Sequence, residues 1–282
     1  MFVYRCPQRW SDLDAQGHVN NAVLVDYLQE ARVAFLREGA ASPLLDSGVV
    51  VVSHQVEYRR PVEYSDEPVT VTLGVSELGA SRLELAYDLR QGSEIALVAR
   101  TVLCVFDFEV QRPVRMLPEH RAFFAEHRIE AEPLRPLPGV ELGGAGTASP
   151  LVVRWSDLDA YGHVNNYKLF DYIQQARVDA TTTWDPTMAR AGTAGSDRLW
   201  LVVRQDVGYL AQLPHRVEPY EQRVAPVKIG STSMTLATEF ADPTSGLLFA
   251  RAMTVLVCAD LTGHPVDLGE TTRARLTAHL PG

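Results

Sequence analysis

Two carboxylates, an imidazole and two carboxamides fall within twelve residues at Trp10–Asn21, in the order Trp-Ser-Asp-Leu-Asp-Ala-Gln-Gly-His-Val-Asn-Asn. The set recurs at Trp155–Asn166 with one change, Gln16 to Tyr161. A helix-forming stretch follows each copy. The amides of a first helical turn are unpaired and carry partial positive charge, so a carbonyl oxygen placed there is polarised and a developing oxyanion is stabilised. A carboxylate in the preceding loop can face the same spot. The structural alternative is that Asp and Asn cap the helix and Gly17 or Gly162 makes a turn, but capping needs one side chain, not Trp, two Asp and His together. A calcium loop is also imitated by Asp12, Asp14, Gln16 and Gly17. It fails at its twelfth position, which is Val23 or Lys168 where a bidentate Glu is needed, and at its fifth, which is Tyr161 in the second copy. No metal is expected.

The elements that must position these residues are themselves repeated. From Arg9 to Val33 and from Arg154 to Val178 the chain matches at 19 of 25 positions, at an offset of 145 residues. A period this long marks duplicated domains, not a solenoid. The match continues more faintly at an offset near 151, with Val56-Glu57-Tyr58 against Val207-Gly208-Tyr209, Gly79 against Gly230, and Ala99-Arg100 against Ala250-Arg251. In each copy Asn20-Asn21 or Asn165-Asn166 supplies N-cap chemistry, and Leu24, Tyr27, Leu28, Ala31 and Phe35 then mark one apolar helical face. The rest is strand-like: four apolar runs in each copy, among them VVVSHQVEY and VTVTLGVSEL in the first and LWLVVRQDVGYL and SMTLATEF in the second. One long helix with four or more strands implies an α+β fold, an antiparallel sheet with a helix on one face. The expected domains are 1–129 and 151–282, joined by a Pro- and Gly-rich linker at 130–150. Trp10 and Trp155 are expected to be structural, packed beside the loop and fixing its approach to the helix.

Composition narrows the function. The 282 residues carry 26 Lys and Arg against 35 Asp and Glu, a formal charge of −9, which argues against a nucleic-acid grip. No apolar run reaches signal-peptide or membrane-span length, so a cytoplasmic protein without membrane partners is expected. Cys6, Cys104 and Cys258 are far apart with no CxxC spacing, which suggests neither disulfides nor zinc.

The DxDxxGHVNN segment followed by a helix ending in Ala-Arg resembles the 4-hydroxybenzoyl-CoA thioesterase-type hotdog proteins. The plant acyl-carrier-protein thioesterases are similar over Asp12–Asp14, His18–Asn21 and Tyr58–Arg60. The resemblance implies a sheet wrapped around one long helix, twice over, as a tandem double hotdog with pseudo-twofold pairing and sites at the seam. It implies hydrolysis of an acyl thioester, on CoA or acyl carrier protein, with no cofactor. Asp14 and Asp159 match the catalytic carboxylate, with Asp12 and Asp157 supporting; His18 and His163 match the imidazole, and Asn21 and Asn166 would orient water and the carbonyl. Two other readings are a non-catalytic acyl-thioester binder and an enoyl-thioester hydratase, though the hydratase pattern with Pro between Asp and His is absent.

The copies depart from the pattern unequally. Ser233 of a GxxS turn becomes Arg82 in the first copy, Leu117-Pro118-Glu119 becomes Leu268-Gly269-Glu270 in the second, and Gln16 and Tyr161 would line the two sites differently. Arg59 and Arg60 are the most concentrated cationic candidate for CoA phosphates, and the second copy has Leu210 and Ala211 there. The plainer expectation is that they pair with Glu57 and Glu63, which would turn attention to Arg82, Arg100, Lys228 and Arg251. Further association of such chains into a homo-oligomer is an additional expectation.

Overall fold

In the computed structural model, which describes residues 1–188 and 197–281, the apolar lead before the first loop is β1 (Phe2–Cys6). It runs antiparallel to β3 (Val69–Leu78), with Phe2 opposite Leu73 and Cys6 opposite Val69. The neighbours continue as β4 (Arg82–Gln91), β5 (Glu94–Asp107) and β2 (Val49–Tyr58), giving the order β1-β3-β4-β5-β2, all antiparallel. A two-residue β6 (Arg112–Pro113) pairs with the end of β5. Alternation decides which face is covered: Val71, Leu73 and Val75 on β3 and Leu83, Leu85 and Leu89 on β4 are buried at period two.

The helix α1 (Asn21–Leu36) packs against β1 and β3. Asn20 starts it, its side-chain oxygen accepting the Ala22 amide at 2.9 Å. The stripe expected from spacing is the buried one: Leu24, Tyr27, Leu28, Ala31 and Phe35 are at most 1% exposed. Truncating a side chain such as Leu28 costs about 2–5 kcal/mol at such a site. A single turn, α2 (Leu44–Ser47), precedes β2, and α3 (Pro118–Glu126) follows the sheet with Pro118 at its first position, where the missing amide is no loss.

The second unit repeats the plan with β7 (Thr147–Leu151), α4 (Lys168–Trp184), β8 (Leu199–Tyr209), β9 (Tyr220–Ile229), β10 (Ser233–Ala241), β11 (Leu248–Ala259) and α5 (Glu270–Thr277). Its sheet order is β7-β9-β10-β11-β8. Where the first unit opens its last helix with Leu-Pro-Glu, this one uses Gly269 at φ +77° as the N-cap of α5. Cys104 and Cys258 are buried, as their apolar strands suggested.

Two expectations change. The repeat does not hold its offset: Tyr58 lies opposite Leu97 and Tyr209 opposite Ala250, so β5 and β11 correspond at 153 residues, not 151. The hairpin between β10 and β11 is longer by two residues, and Arg100 and Arg251 are therefore not equivalent. The stretch 130–150, expected as a linker, is shared out, because the chain divides into compact units Met1–Pro136 and Leu137–Gly282. In the first, the Ile129 amide donates to Val75 O at 3.0 Å and Arg100 donates to Glu132 O. In the second, Leu137, Val140 and Leu142 pack on Ala225, Ala237 and Met253, and the Leu142 amide donates to the buried Glu239 carboxylate at 3.1 Å. Such anchors are invisible to periodicity, since three apolar residues among Pro and Gly trace neither helix nor strand.

Candidate active site

The chemistry-bearing loop is a short hairpin on a rigid base. Leu13 bridges to Val19, the Asp14 amide donates to His18 O at 2.8 Å, and Gly17 N donates to Asp14 O at 3.0 Å. Gly17 sits at φ +82°, a conformation a side chain would strain. The Asp14 carboxylate takes part in its own turn: Oδ1 accepts the Gln16 amide at 2.8 Å and the His18 amide at 3.4 Å. Oδ2 makes no hydrogen bond among the described residues. Asp159 repeats this, accepting from Tyr161 N at 2.9 Å and His163 N at 3.4 Å, with Gly162 at φ +80°. Each carboxylate is thus half structural and half free, and it is half-buried rather than solvated.

The base of the loop is a buried carboxylate held by a buried hydroxyl and an exposed guanidinium. Asp12, 3% exposed, accepts the Arg9 amide at 2.9 Å, the Arg9 guanidinium at 3.0 Å and the Tyr27 hydroxyl at 2.5 Å. Burial pushes the Asp12 carboxyl up, but the bonds from Tyr27 and Arg9 outweigh it and hold the group below the usual carboxylate range. Burial and the adjacent Asp12 push the Tyr27 hydroxyl well up. In the second unit Tyr172 donates to Asp157 at 2.8 Å, and burial with Asp157 raises Tyr172 likewise. Cys6, which ends β1 ahead of the loop, is pushed up to about 12, first by burial and then by Glu30, so it stays a thiol and is no nucleophile.

A strand end holds the loop against the helix. The Tyr58 hydroxyl donates to Asn21 O at 3.2 Å, Val19 N donates to Val62 O at 2.9 Å, and His18 bridges to Glu63. The second unit matches, with Tyr209 to Asn166 O at 2.6 Å, Val164 N to Leu213 O at 2.9 Å, and His163 bridged to Pro214. The segment carrying Arg59 and Arg60 therefore lies beside His18 and Asn21. Both arginines are exposed and ion-paired, Arg59 with Glu57 at 3.3 Å and Arg60 with Glu94 at 3.0 Å. The expected partner Glu63 instead holds Gln91 through its main chain.

Of the residues singled out by sequence, each unit brings its Asp, His and Asn to one loop and helix start, with Gln16 exposed and Tyr161 half-exposed on the turn. Ser233 is not beside the loop of its own unit. It begins β10, next to Ile229, whereas the loop leaves β7 at Leu151 opposite Tyr220, nine residues along β9 and about 30 Å away. The second helix also starts later than expected, at Lys168, because Asn165 accepts only a long contact from Tyr167 N at 3.4 Å. The tryptophans correct the sequence reading outright: Trp10 is 73% and Trp155 77% exposed. The 3₁₀ turns they open point the indoles outward, and the loop's approach is fixed by Asp12 and Asp157 instead. Sequence reasoning took Tyr27 only as an apolar-face residue and did not single out its counterpart Tyr172. Their signal was a hydroxyl at the same place in both copies, fifteen residues after an Asp.

An antiparallel sheet curled about one long helix, with its polar loop at the helix start, is the hotdog arrangement, present here twice. A sequence profile of the thioesterase-like superfamily matches residues 8–124 and 153–276, and the chain belongs to that superfamily. A protein of Aquifex aeolicus named provisionally as an esterase is 31% identical over 108 residues, 37% of this chain and 84% of its own. Among solved structures, the 12:0-ACP thioesterase of Umbellularia californica aligns with TM-score 0.68 at 16% identity, covering 92% of this chain and 97% of its own. An acyl-ACP thioesterase of Bacteroides thetaiotaomicron aligns with TM-score 0.67 at 13% identity, covering 90% and 96%.

Proposed function

We propose that the protein hydrolyses acyl thioesters to the free acid and thiol, with Asp14 and Asp159 as the reacting carboxylates of two sites. The observation that carries this reading is the divided role of Asp14, in the loop that leads into α1: one oxygen is pinned by turn amides while the other makes no hydrogen bond among the described residues. Acting as a base, the carboxylate takes a proton from water as the oxygen of that water adds to the thioester carbonyl. The oxyanion faces helix-start amides, and its collapse expels the thiolate, which takes the proton back from the carboxyl group to leave as the thiol. His18 and Asn21, with His163 and Asn166, orient the water and the carbonyl. The carrier is acyl-CoA in the first instance, with acyl carrier protein the alternative, and Gln16, Tyr161, Arg59 and Arg60 are proposed substrate contacts, while Ser233, far from the loop of its own unit, is not kept among them. Membership of the superfamily and the names of the structural relatives support this class of reaction.

Thiol release from a panel of acyl-CoAs tests it. Asp14→Asn and Asp159→Asn should each remove part of the turnover and the double variant at least about 100-fold, the scale of a lost general base, with the fold retained. Undiminished turnover in the double variant refutes the assignment, and binding without any turnover in the intact protein points to a non-catalytic binder.

A further inference from the structure

An indole left in water forgoes the burial that normally makes tryptophan a stabilising residue. Trp10 does so on a firm backbone, since it opens the turn whose Asp12 is clamped by Arg9 and Tyr27. Its ring stands edge-on to Tyr64 at 5.5 Å and 84°, and Tyr64 is itself 38% exposed. Tyr64 directly follows Glu63, which bridges to His18, so the aromatic pair flanks the candidate catalytic turn. Four residues earlier in the same segment stands Arg60, at most about 14 Å from Tyr64 along an extended chain. An exposed indole face braced edge-on by a second ring, with a cationic pair a short way off, fits a purine ring attached to phosphates. Trp155 repeats the aromatic half against His215, at 5.8 Å and 84°, but Leu210 and Ala211 replace the cations.

We propose that the exposed face of Trp10, braced by Tyr64, is a stacking platform for the adenine of CoA, with Arg59 and Arg60 on its phosphates. The first unit would thereby read the nucleotide end of its substrate. This rests on the thioesterase reading and names its carrier. The free platform is preformed, because the Trp10 backbone is held from below and Tyr64 by the bridge beside it. Binding exchanges the pairing of Arg59 with Glu57 and of Arg60 with Glu94 for phosphate, an inexpensive exchange because both pairs lie in water.

The experiment compares one acyl group on CoA and on pantetheine, which lacks the nucleotide. Trp10→Ala should raise KM for acyl-CoA about tenfold, within the range of one base stacked on one aromatic ring, with kcat and the melting temperature unchanged. KM for acyl-pantetheine should not move, and Trp155→Ala should have the smaller effect on acyl-CoA. A second readout needs no turnover: CoA and 3′,5′-ADP should quench indole fluorescence in the intact protein and not in Trp10→Ala, whereas pantetheine should not quench. Equal KM changes on both carriers, a rise for acyl carrier protein substrates alone, or an absence of quenching by CoA each overturns the platform. Quenching without hydrolysis of any thioester leaves the platform standing and removes the thioesterase reading. Hydrolysis of acyl-CoA that is indifferent to Trp10→Ala does the reverse.

Discussion

Tyr27→Phe removes one oxygen and nothing else from the centre of the first unit, so its consequences can be worked through. The ring is 1% exposed and its hydroxyl donates at 2.5 Å to the Asp12 carboxylate, itself 3% exposed. A hydrogen bond to a charged group contributes about 1.5–3 kcal/mol, and little water can replace it at this depth. The variant should lose about 2 kcal/mol at pH 7, which lowers the melting temperature by roughly 5–8 °C for a unit of this size. The loss depends on pH. In the intact protein Asp12 titrates below its unfolded value, so its contribution is fully present above that value, near pH 4, and is lost as pH falls through the folded pKa. Without Tyr27, burial is opposed by Arg9 alone and the folded pKa rises, which reduces or reverses the contribution. Urea unfolding at pH 7 and at pH 3 should therefore give a difference between the two proteins that is larger at pH 7 than at pH 3. A change under 0.5 kcal/mol at pH 7, or one of equal size at both pH values, would refute the claim that the hydroxyl stabilises the ionised carboxylate.

Three further outcomes follow from single contacts. Gly17→Ala meets no atom within 4 Å, so its cost is the backbone strain at φ +82°, about 1 kcal/mol by urea unfolding, with turnover falling as the turn relaxes. Asp185, fully buried, ties the end of α4 to α5 by accepting from Thr187, Thr272 and Arg275 at 2.7–3.0 Å, so Asp185→Ala should cost about 3 kcal/mol in calorimetry of the second unit. Replacing Arg59 and Arg60 together by Ala should leave stability within 0.5 kcal/mol, since exposed ion pairs contribute little, yet raise KM for acyl-CoA, most at low salt where phosphate contacts are least screened.

The repeat, the α+β class and the helix that carries the site were legible because each leaves a periodic trace: nineteen matched positions, a stripe at steps of three and four, strands at period two. Trp10 was misjudged because residue type signals only average burial, and an amphipathic ring held on a 3₁₀ turn can face either way. Tyr27 was half read. Spacing placed its ring in the core, but which acceptor its hydroxyl meets depends on Asp12 folding back beneath the helix, a tertiary contact across fifteen residues. The distance of Ser233 from its own loop follows from strand register, and the split of 130–150 from isolated side-chain anchors, neither of which the order of residues reveals.

The turn that presents Asp14 also explains why the duplicated loops look so alike without implying that both still work. Asp14 closes its own turn, Asp12 neutralises Arg9, and Gly17 takes a backbone angle other residues resist. Each helps to hold the hairpin in shape, whatever its part in chemistry. A half that had ceased to turn over substrate would therefore keep its loop intact, held by folding alone. Decay would surface first where no such duty binds the residue, at Gln16 against Tyr161 and at Arg59-Arg60 against Leu210-Ala211, which is where the halves of this chain have already parted.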